Sequence, residues 1–244
     1  MTRTVPKPLR AAALTLCFAA LAPVAAADAA TDYEIKKAAF NVSVEGVQRT
    51  TWATNHVGSG GCDGSAQGSG KETVRFTSRA TKVNAMTMKG LSAPVLSKPG
   101  EYVDAAPKLR GTVARQGTMT AEPGGECGGA GGGSIPRDCG TKSFKGVKFP
   151  LSYRLSAKPK DQLDFRPDFV DDPFKNCPSG GYAFPTLVRT NEGDYMRTEL
   201  PREELFDKSL GKIIVIARGK ETETSGEHTY VTTIRWVVTF ERIR

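Results

Sequence analysis

The strongest constraint on the fold is an alternation of side chains near the C-terminus. Six residues share one face of an extended chain there: Tyr230, Thr232, Ile234, Trp236, Val238 and Phe240. The residues between them are mostly polar or charged, and a period of two is typical of a strand with one buried face. The same rhythm recurs in 40–44, 74–76 and 147–155. The chain is therefore predicted to form mainly β-sheet.

Two details refine the strand pattern. The run 213–217 is continuously apolar, which predicts a central strand covered on both faces. The polar stretch 219–227 would join this strand to the last one as a hairpin. Pro150 interrupts 147–155, and because proline cannot donate to a ladder, it predicts an edge strand or a bulge there.

Helix is scarce, and turns are abundant. The best helix candidate is 201–210, which begins with Pro201, has Glu203 and Glu204 in its first turn, and ends before Gly211. Four segments rich in Gly and Pro are predicted as long connections: 58–70, 94–107, 123–140 and 159–181. We therefore expect an all-β fold, an antiparallel β-sandwich (Ig-like or jelly-roll-like) with one short helix and long Gly/Pro-rich loops.

The N-terminus has the layout of a secretory signal peptide over residues 1–27. Basic residues (Arg3, Lys7 and Arg10) precede the apolar run 11–24, and three alanines at 25–27 offer a cleavage site. Cleavage after Ala29 is the alternative position, and an uncleaved N-terminal anchor is the alternative role. The apolar run is shorter than the roughly 20 residues that a spanning helix needs. We expect a protein that is secreted or located in the cell envelope.

The segment 28–244 has a length suited to a single β-sandwich domain. Two smaller sandwiches divided near 123–141 are the alternative, because seven glycines fall within 124–133. Cys127 lies inside that stretch, which favours a tethered loop within one domain.

Charge limits the choice of partner. The formal net charge is +8, and loss of the three basic residues of 1–27 lowers it to +5. The remaining Lys and Arg are scattered along the sequence among Asp and Glu, without the basic stripe that nucleic-acid binding requires. We expect no nucleic-acid partner and no membrane span after cleavage. Weak attraction to an acidic cell-surface polymer or glycan stays open.

Four cysteines remain beyond the leader: Cys62, Cys127, Cys139 and Cys177. An even number in an exported chain predicts two disulfides. We favour Cys127–Cys139 with Cys62–Cys177, since short separations close at lower entropic cost. The rival pairing joins Cys139 to Cys177 and Cys62 to Cys127. The spacings are irregular and include no Cys-x-x-Cys pair, which disfavours zinc.

A resemblance supports the exported assignment. The run 40–52, which ends in Thr-Thr-Trp, the Cys-bearing Gly loop at 61–64 and the strand at 68–76 resemble segments of uncharacterised secreted β-rich proteins of high-GC bacteria. The likeness covers about 40 residues together with the Trp-containing last strand. It implies an exported β protein and carries no known activity, so no functional residue is transferred.

The residues offer little for catalysis. Only His56 and His228 could act as a histidine base, and neither stands in a recognisable motif. No Gly-x-Ser-x-Gly elbow and no His-Glu-x-x-His occur. We predict no catalytic residues, no cofactor and no enzymatic activity.

The acidic segment 161–176 is the one candidate for a metal. Asp168, Asp171 and Asp172, with Asn176, could supply oxygen ligands for calcium. Their spacing is not that of an EF-hand, and neighbouring Lys and Arg nearly neutralise the segment. A solvated charged loop is the alternative interpretation.

Aromatic residues are the last lead. Trp236 lies on the apolar face of its strand and is predicted to belong to the core, whereas Trp52 and Tyr102 lie nearer to loops and could be exposed. The sequence thus favours an exported, non-enzymatic β-sandwich with a binding or structural role. The alternatives are a carbohydrate-binding module, a secreted hydrolase with an unrecognised site, and a protease inhibitor that presents the loop 127–139.

Overall fold

The computed structural model describes residues 35–56, 65–88, 91, 93–101, 103–122, 133–154, 161–165, 174 and 196–244. All of them belong to one compact unit, Tyr33–Arg244. The predicted signal peptide 1–27 lies outside the described residues. The elements are β1 Lys37–His56, β2 Ser65–Ser78, β3 Thr81–Met86, β4 Val95–Ser97, β5 Lys108–Glu122, β6 Gly133–Lys148, β7 Leu151–Arg154, β8 Gln162–Phe165, β9 Met196–Glu199, α1 Arg202–Phe206, β10 Lys212–Ser225 and β11 His228–Arg242.

These strands form two antiparallel sheets. The larger sheet has the order β10-β11-β1-β2-β5-β6, with β3 also paired to β1, and β4 paired to β3. The smaller sheet has the order β7-β8-β9. The prediction of an all-β, sandwich-like fold with one short helix is confirmed.

Strand β1 organises the larger sheet because it is long enough to pair with three strands. Its first part, Lys37 to Val42, pairs with β3, and Glu45 to His56 pairs with β2. On its other side β11 pairs with nearly its whole length, from Phe40 opposite Arg242 to Thr54 opposite His228. The N-terminal and C-terminal strands of the described chain are therefore neighbours.

The core lies between one face of the larger sheet and the smaller sheet. Alternate residues of β1, β2 and β11 point into it, as the period of two predicts. Trp236 is fully buried, and its ring lies 5.7 Å from that of Phe76 and 5.4 Å from that of Phe149. The smaller sheet contributes Leu151 and Leu163. We call this core-facing side of the larger sheet the inner face and the opposite side the outer face.

The predicted C-terminal hairpin is present, with longer strands than expected. Most of 219–227 is strand, and the loop is only two residues, Gly226 and Glu227. Gly226 has a φ of 58°, the left-handed conformation that such tight hairpin loops require.

The prediction that 213–217 is buried on both faces is wrong. Ile213, Val215 and Ala217 are buried, but Ile214 is 54% exposed and Ile216 is 41% exposed. Among the described residues β10 pairs with β11 alone, so β10 is an edge strand of the larger sheet in that part of the chain. The continuous apolar run reflects one buried side and one open side of an outer strand.

Pro150 marks a change of sheet. The expected strand 147–155 is divided, since β6 ends at Lys148 in the larger sheet and β7 begins at Leu151 in the smaller one. The proline therefore stands in the connection, where no ladder hydrogen bond is needed.

The predicted helix is confirmed in a shorter form, α1. Arg242 of β11 holds the end of α1 and the chain after the helix, donating hydrogen bonds to the carbonyl oxygens of Leu205, Asp207 and Leu210 at 2.8–3.1 Å.

Several glycines lie within strands, which corrects the predicted connections 58–70 and 123–140. Residues 65–70 belong to β2 and 133–140 to β6. A Cβ on Gly70 would stand 2.4 Å from the ring of Trp52, its cross-strand partner. Trp52 is only 3% exposed, so the expectation that it is accessible is wrong. The ring is buried because it lies on the glycine, an arrangement in which an aromatic covers a strand position without a side chain.

Candidate functional site

The outer face of the larger sheet carries the most distinctive surface among the described residues. Where six strands run side by side, the register aligns their outward residues in rows. One row reads Arg218, Arg235, Val47, Arg75, Thr112 and Ser143, from β10 to β6. The row on one side continues with Lys220, Thr233, Arg49 and Thr73, whereas the row on the other side begins with Ile216 and Val237, so the outer face is mostly polar with an apolar corner in β10 and β11.

Six basic residues form a continuous band across this face, one from each strand. We call this band the basic stripe, and its members in strand order are Arg218, Arg235, Arg49, Arg75, Arg110 and Lys145. Successive members are either directly opposite each other or shifted by two residues along the strand. Five interstrand steps of about 4.8 Å give a length of about 24 Å.

The stripe is open to solvent. All six side chains are exposed, and none forms an ion pair with a residue that the structure describes. Lys71 and Lys220 lie beside it on the same face, which also carries the acidic residues Glu45 and Asp138. The face thus concentrates positive charge that the sequence distributes over almost 190 residues.

Two pairs of like charges in the stripe destabilise the larger sheet locally. Arg218 stands directly opposite Arg235, and Arg110 directly opposite Lys145. Like charges in such pairs destabilise a sheet. Natural proteins keep such locally unfavourable choices mainly at functional or strained sites.

An open groove adjoins the stripe on the outer face. Its volume is about 640 Å³, and it is lined by Thr51, Trp52, Ser69, Gly70, Lys71, Gln116, Gly117, Thr118 and Asp138. Thr51, Lys71, Gln116 and Asp138 form one cross-strand row. Trp52 and Gly70 are inward positions of their strands, and the ring of Trp52 packs against Gly70 on the inner face.

The inner face contains a second polar group with a different character. Arg115 donates hydrogen bonds to Glu72 in an ion pair that is 0% and 1% exposed. The ring of Phe174 covers the guanidinium, whose carbon lies 4.9 Å from the ring centre. Solvent does not reach this pair, so its role is structural.

Of the two histidines considered as bases, the structure describes the side chain of His228 alone. His228 is partly buried, and its Nδ1 shares a short hydrogen bond with the hydroxyl of Thr54. Its ring lies 6.4 Å from that of Tyr230. His56 is the last residue of β1, and its side chain lies outside the described residues.

The acidic segment 161–176 is described only in part. Residues 162–165 form β8, which corrects the expectation of a loop there. Asp164 is buried and pairs with Arg154 at 3.1 Å, and Asp161 accepts a 2.7 Å hydrogen bond from the hydroxyl of Tyr153. Burial, and then this bond to Asp161, raise the pKa of Tyr153. These two carboxylates thus serve the packing of the smaller sheet.

The calcium candidates Asp168, Asp171 and Asp172 lie outside the described residues. Within the part of the chain that is described, no group of three His, Cys, Asp or Glu side chains could hold a metal ion. The calcium hypothesis therefore stays a prediction.

Of the four cysteines beyond the leader, only Cys139 is described. It lies in β6 at a register shift, partly buried against the core, and it is not a free side chain. Cys62, Cys127 and Cys177 lie outside the described residues, so both candidate pairings stay predictions.

The sequence contains a signal for the stripe, but the pattern within any single strand does not reveal it. In each strand of the stripe the basic residue occupies an outward position of the alternation, such as Arg49 in β1 and Arg75 in β2. These basic residues are far apart in the sequence, and only the strand register shows that they lie next to each other on the sheet.

Comparisons with known proteins give no relative: no protein-family profile, no curated protein and no solved structure matches this chain. Among the described residues, none of the helices is both long enough and apolar enough to cross a membrane.

Proposed function

We propose that this is an exported, non-enzymatic protein that binds an acidic polymer of the cell envelope or extracellular space through its basic stripe. The export of the chain rests on the leader-like segment 1–27. The observation that carries the binding role is the stripe itself, six exposed cationic side chains in six adjacent strands.

The composition of the stripe favours oxyanions. Five of its six members are arginine, whose planar guanidinium binds carboxylate or phosphate groups through two parallel hydrogen bonds. A single exposed charge pair contributes at most about 1 kcal/mol. Useful affinity therefore requires several contacts at once, which an extended ligand along the band can provide.

The shape of the outer face also favours an extended ligand. A polymer that lies across the six strands would meet a cation at each interstrand step, over a length of about 24 Å. The rigid sheet fixes the backbone positions of the six cations before binding, so the conformational entropy lost is that of their side chains, about 0.5–1.5 kcal/mol for each one that is immobilised.

The test compares two variants with the same change in net charge. Arg75→Gln with Arg235→Gln removes two members of the stripe, and Lys208→Gln with Arg244→Gln removes two exposed cations outside the larger sheet's outer face. Binding to immobilised alginate, heparin and DNA is measured across a range of salt concentrations. The stripe variant is expected to lose at least tenfold in affinity and to show a weaker salt dependence, while the control changes less than twofold.

Equal losses in the two variants would show that binding follows net charge rather than the stripe. A wild-type protein that binds none of the three polymers at low salt would refute the proposed function. Preference for DNA over both polysaccharides would identify a nucleic acid as the partner and would contradict the envelope role.

A further inference from the structure

We infer that the groove beside the stripe is a saccharide subsite, and that the polymer is an acidic polysaccharide with neutral hydroxyl-bearing parts between its charges. This inference rests on the proposed function, because the stripe would hold the acidic groups of the same ligand.

The position of the groove permits one ligand to use both surfaces. Thr51 of the groove follows Arg49 of the stripe by two residues, which places them on the same face about 7 Å apart along β1. Lys71 precedes Arg75 by four residues in β2, on the same face and about 14 Å away. The groove therefore lies beside the stripe and parallel to it, and a chain that follows the stripe reaches the groove by bending toward it over this distance.

The lining of the groove matches hydroxyl groups. Thr51, Ser69 and Thr118 present hydroxyls, and Gln116 presents an amide, so each can both donate and accept hydrogen bonds. All four side chains are exposed or partly exposed on the outer face, and none is needed to hold the core.

The charges in the groove argue against a ligand that is uniformly anionic. Lys71 and Asp138 stand in the same cross-strand row, separated by Gln116. Asp138 is exposed, and its Oδ1 accepts a 2.9 Å hydrogen bond from the backbone N–H of Gly140, which orients the carboxylate. A polyphosphate or nucleic-acid backbone would bring negative charge against Asp138, whereas a sugar hydroxyl can donate to it.

The experiment separates the groove from the stripe by isosteric substitution. Thr51→Val with Thr118→Val removes two hydroxyls from the groove and retains side-chain shape and β propensity. The matched control, Thr222→Val with Thr224→Val, makes the same change on exposed outward positions of β10 outside the groove. Calorimetry measures binding of a uronic-acid octasaccharide and of linear polyphosphate with the same number of charges. Gln116→Leu serves as a second groove variant. Circular dichroism and the melting temperature show whether each variant keeps the fold.

The groove variants are expected to weaken octasaccharide binding at least tenfold and to leave polyphosphate binding within twofold of the wild type. The control variant is expected to bind both as the wild type does. Octasaccharide binding that the groove variants leave unchanged, or a parallel loss of polyphosphate binding, would overturn the inference. If the wild type binds polyphosphate but not the octasaccharide, the saccharide subsite is refuted and the binding of polyanions by the stripe is supported. If the wild type binds neither ligand, the proposed function is refuted as well.

Discussion

Arg115 and Glu72 face each other across β5 and β2, and two hydrogen bonds from the guanidinium end on the same carboxylate oxygen. The donors are Nε, at 2.9 Å from Oε2, and Nη2, at 2.7 Å from it. The pair is buried among neighbours that include Phe174, and the two opposite charges compensate each other where solvent does not reach.

The first prediction concerns this pair. Arg115→Met alone is expected to lower the free energy of unfolding by about 3–5 kcal/mol, because it leaves a buried carboxylate without its cation. Adding Glu72→Leu is expected to restore at least half of that loss, since no charge then remains buried. Urea denaturation measures both variants. A double variant no more stable than Arg115→Met would show that the charges are not the source of the loss.

The second prediction concerns Gly70 and Trp52. Gly70→Ala is expected to lower the free energy of unfolding by about 1–3 kcal/mol, because the added methyl would overlap the indole ring. Gly211→Ala is the control, since its Cβ would meet nothing within 4 Å, and it is expected to change stability by less than about 0.5 kcal/mol. The same cost in both variants would contradict the packing of the ring on Gly70.

The third prediction concerns the pH dependence of Tyr153. Its hydroxyl donates to Asp161 at 2.7 Å and approaches the carbonyl oxygen of Leu200 at 3.0 Å. The folded state raises its pKa above the ordinary value of 10.0, first through burial and then through the bond to Asp161. The stability that the neutral phenol contributes is therefore fully present below pH 10 and is lost as the pH rises through the folded-state pKa.

Tyr153→Phe is expected to be less stable than the wild type by about 1–3 kcal/mol at neutral pH, because the hydroxyl's acceptors lose a donor. The difference between the two proteins should shrink above pH 10. Chemical denaturation at a series of pH values from 7 to 11 measures it. A difference that grows with alkalinity would contradict the assigned direction of the shift.

Local patterns were sufficient for much of the fold. The alternation in β1, β2 and β11 predicted which side chains enter the core, including Trp236, and the polar stretch before β11 predicted a hairpin. These features depend only on residues close in the sequence, because the period of two is a property of the extended backbone.

Features that depend on sheet neighbours could not be predicted. The exposure of Ile214 and Ile216 follows from the place of β10 at the edge of the described sheet, and the burial of Trp52 follows from its alignment with Gly70. The basic stripe is the largest such case. Arg49 and Arg235 are 186 positions apart in the sequence, and only the pairing of β1 with β11 makes them neighbours.

The pairing of β1 with β11 also determines when this protein can fold. A ribosome releases β1 long before β11, and strand pairing across so large a separation makes folding slow. Until the last fifteen residues of strand emerge, β1 lacks the neighbour that runs along nearly all of it, and its apolar residues have only part of their core. The larger sheet therefore cannot be completed before β11 has been synthesised, and until then the apolar residues of β1 are partly uncovered, a state that is prone to aggregation.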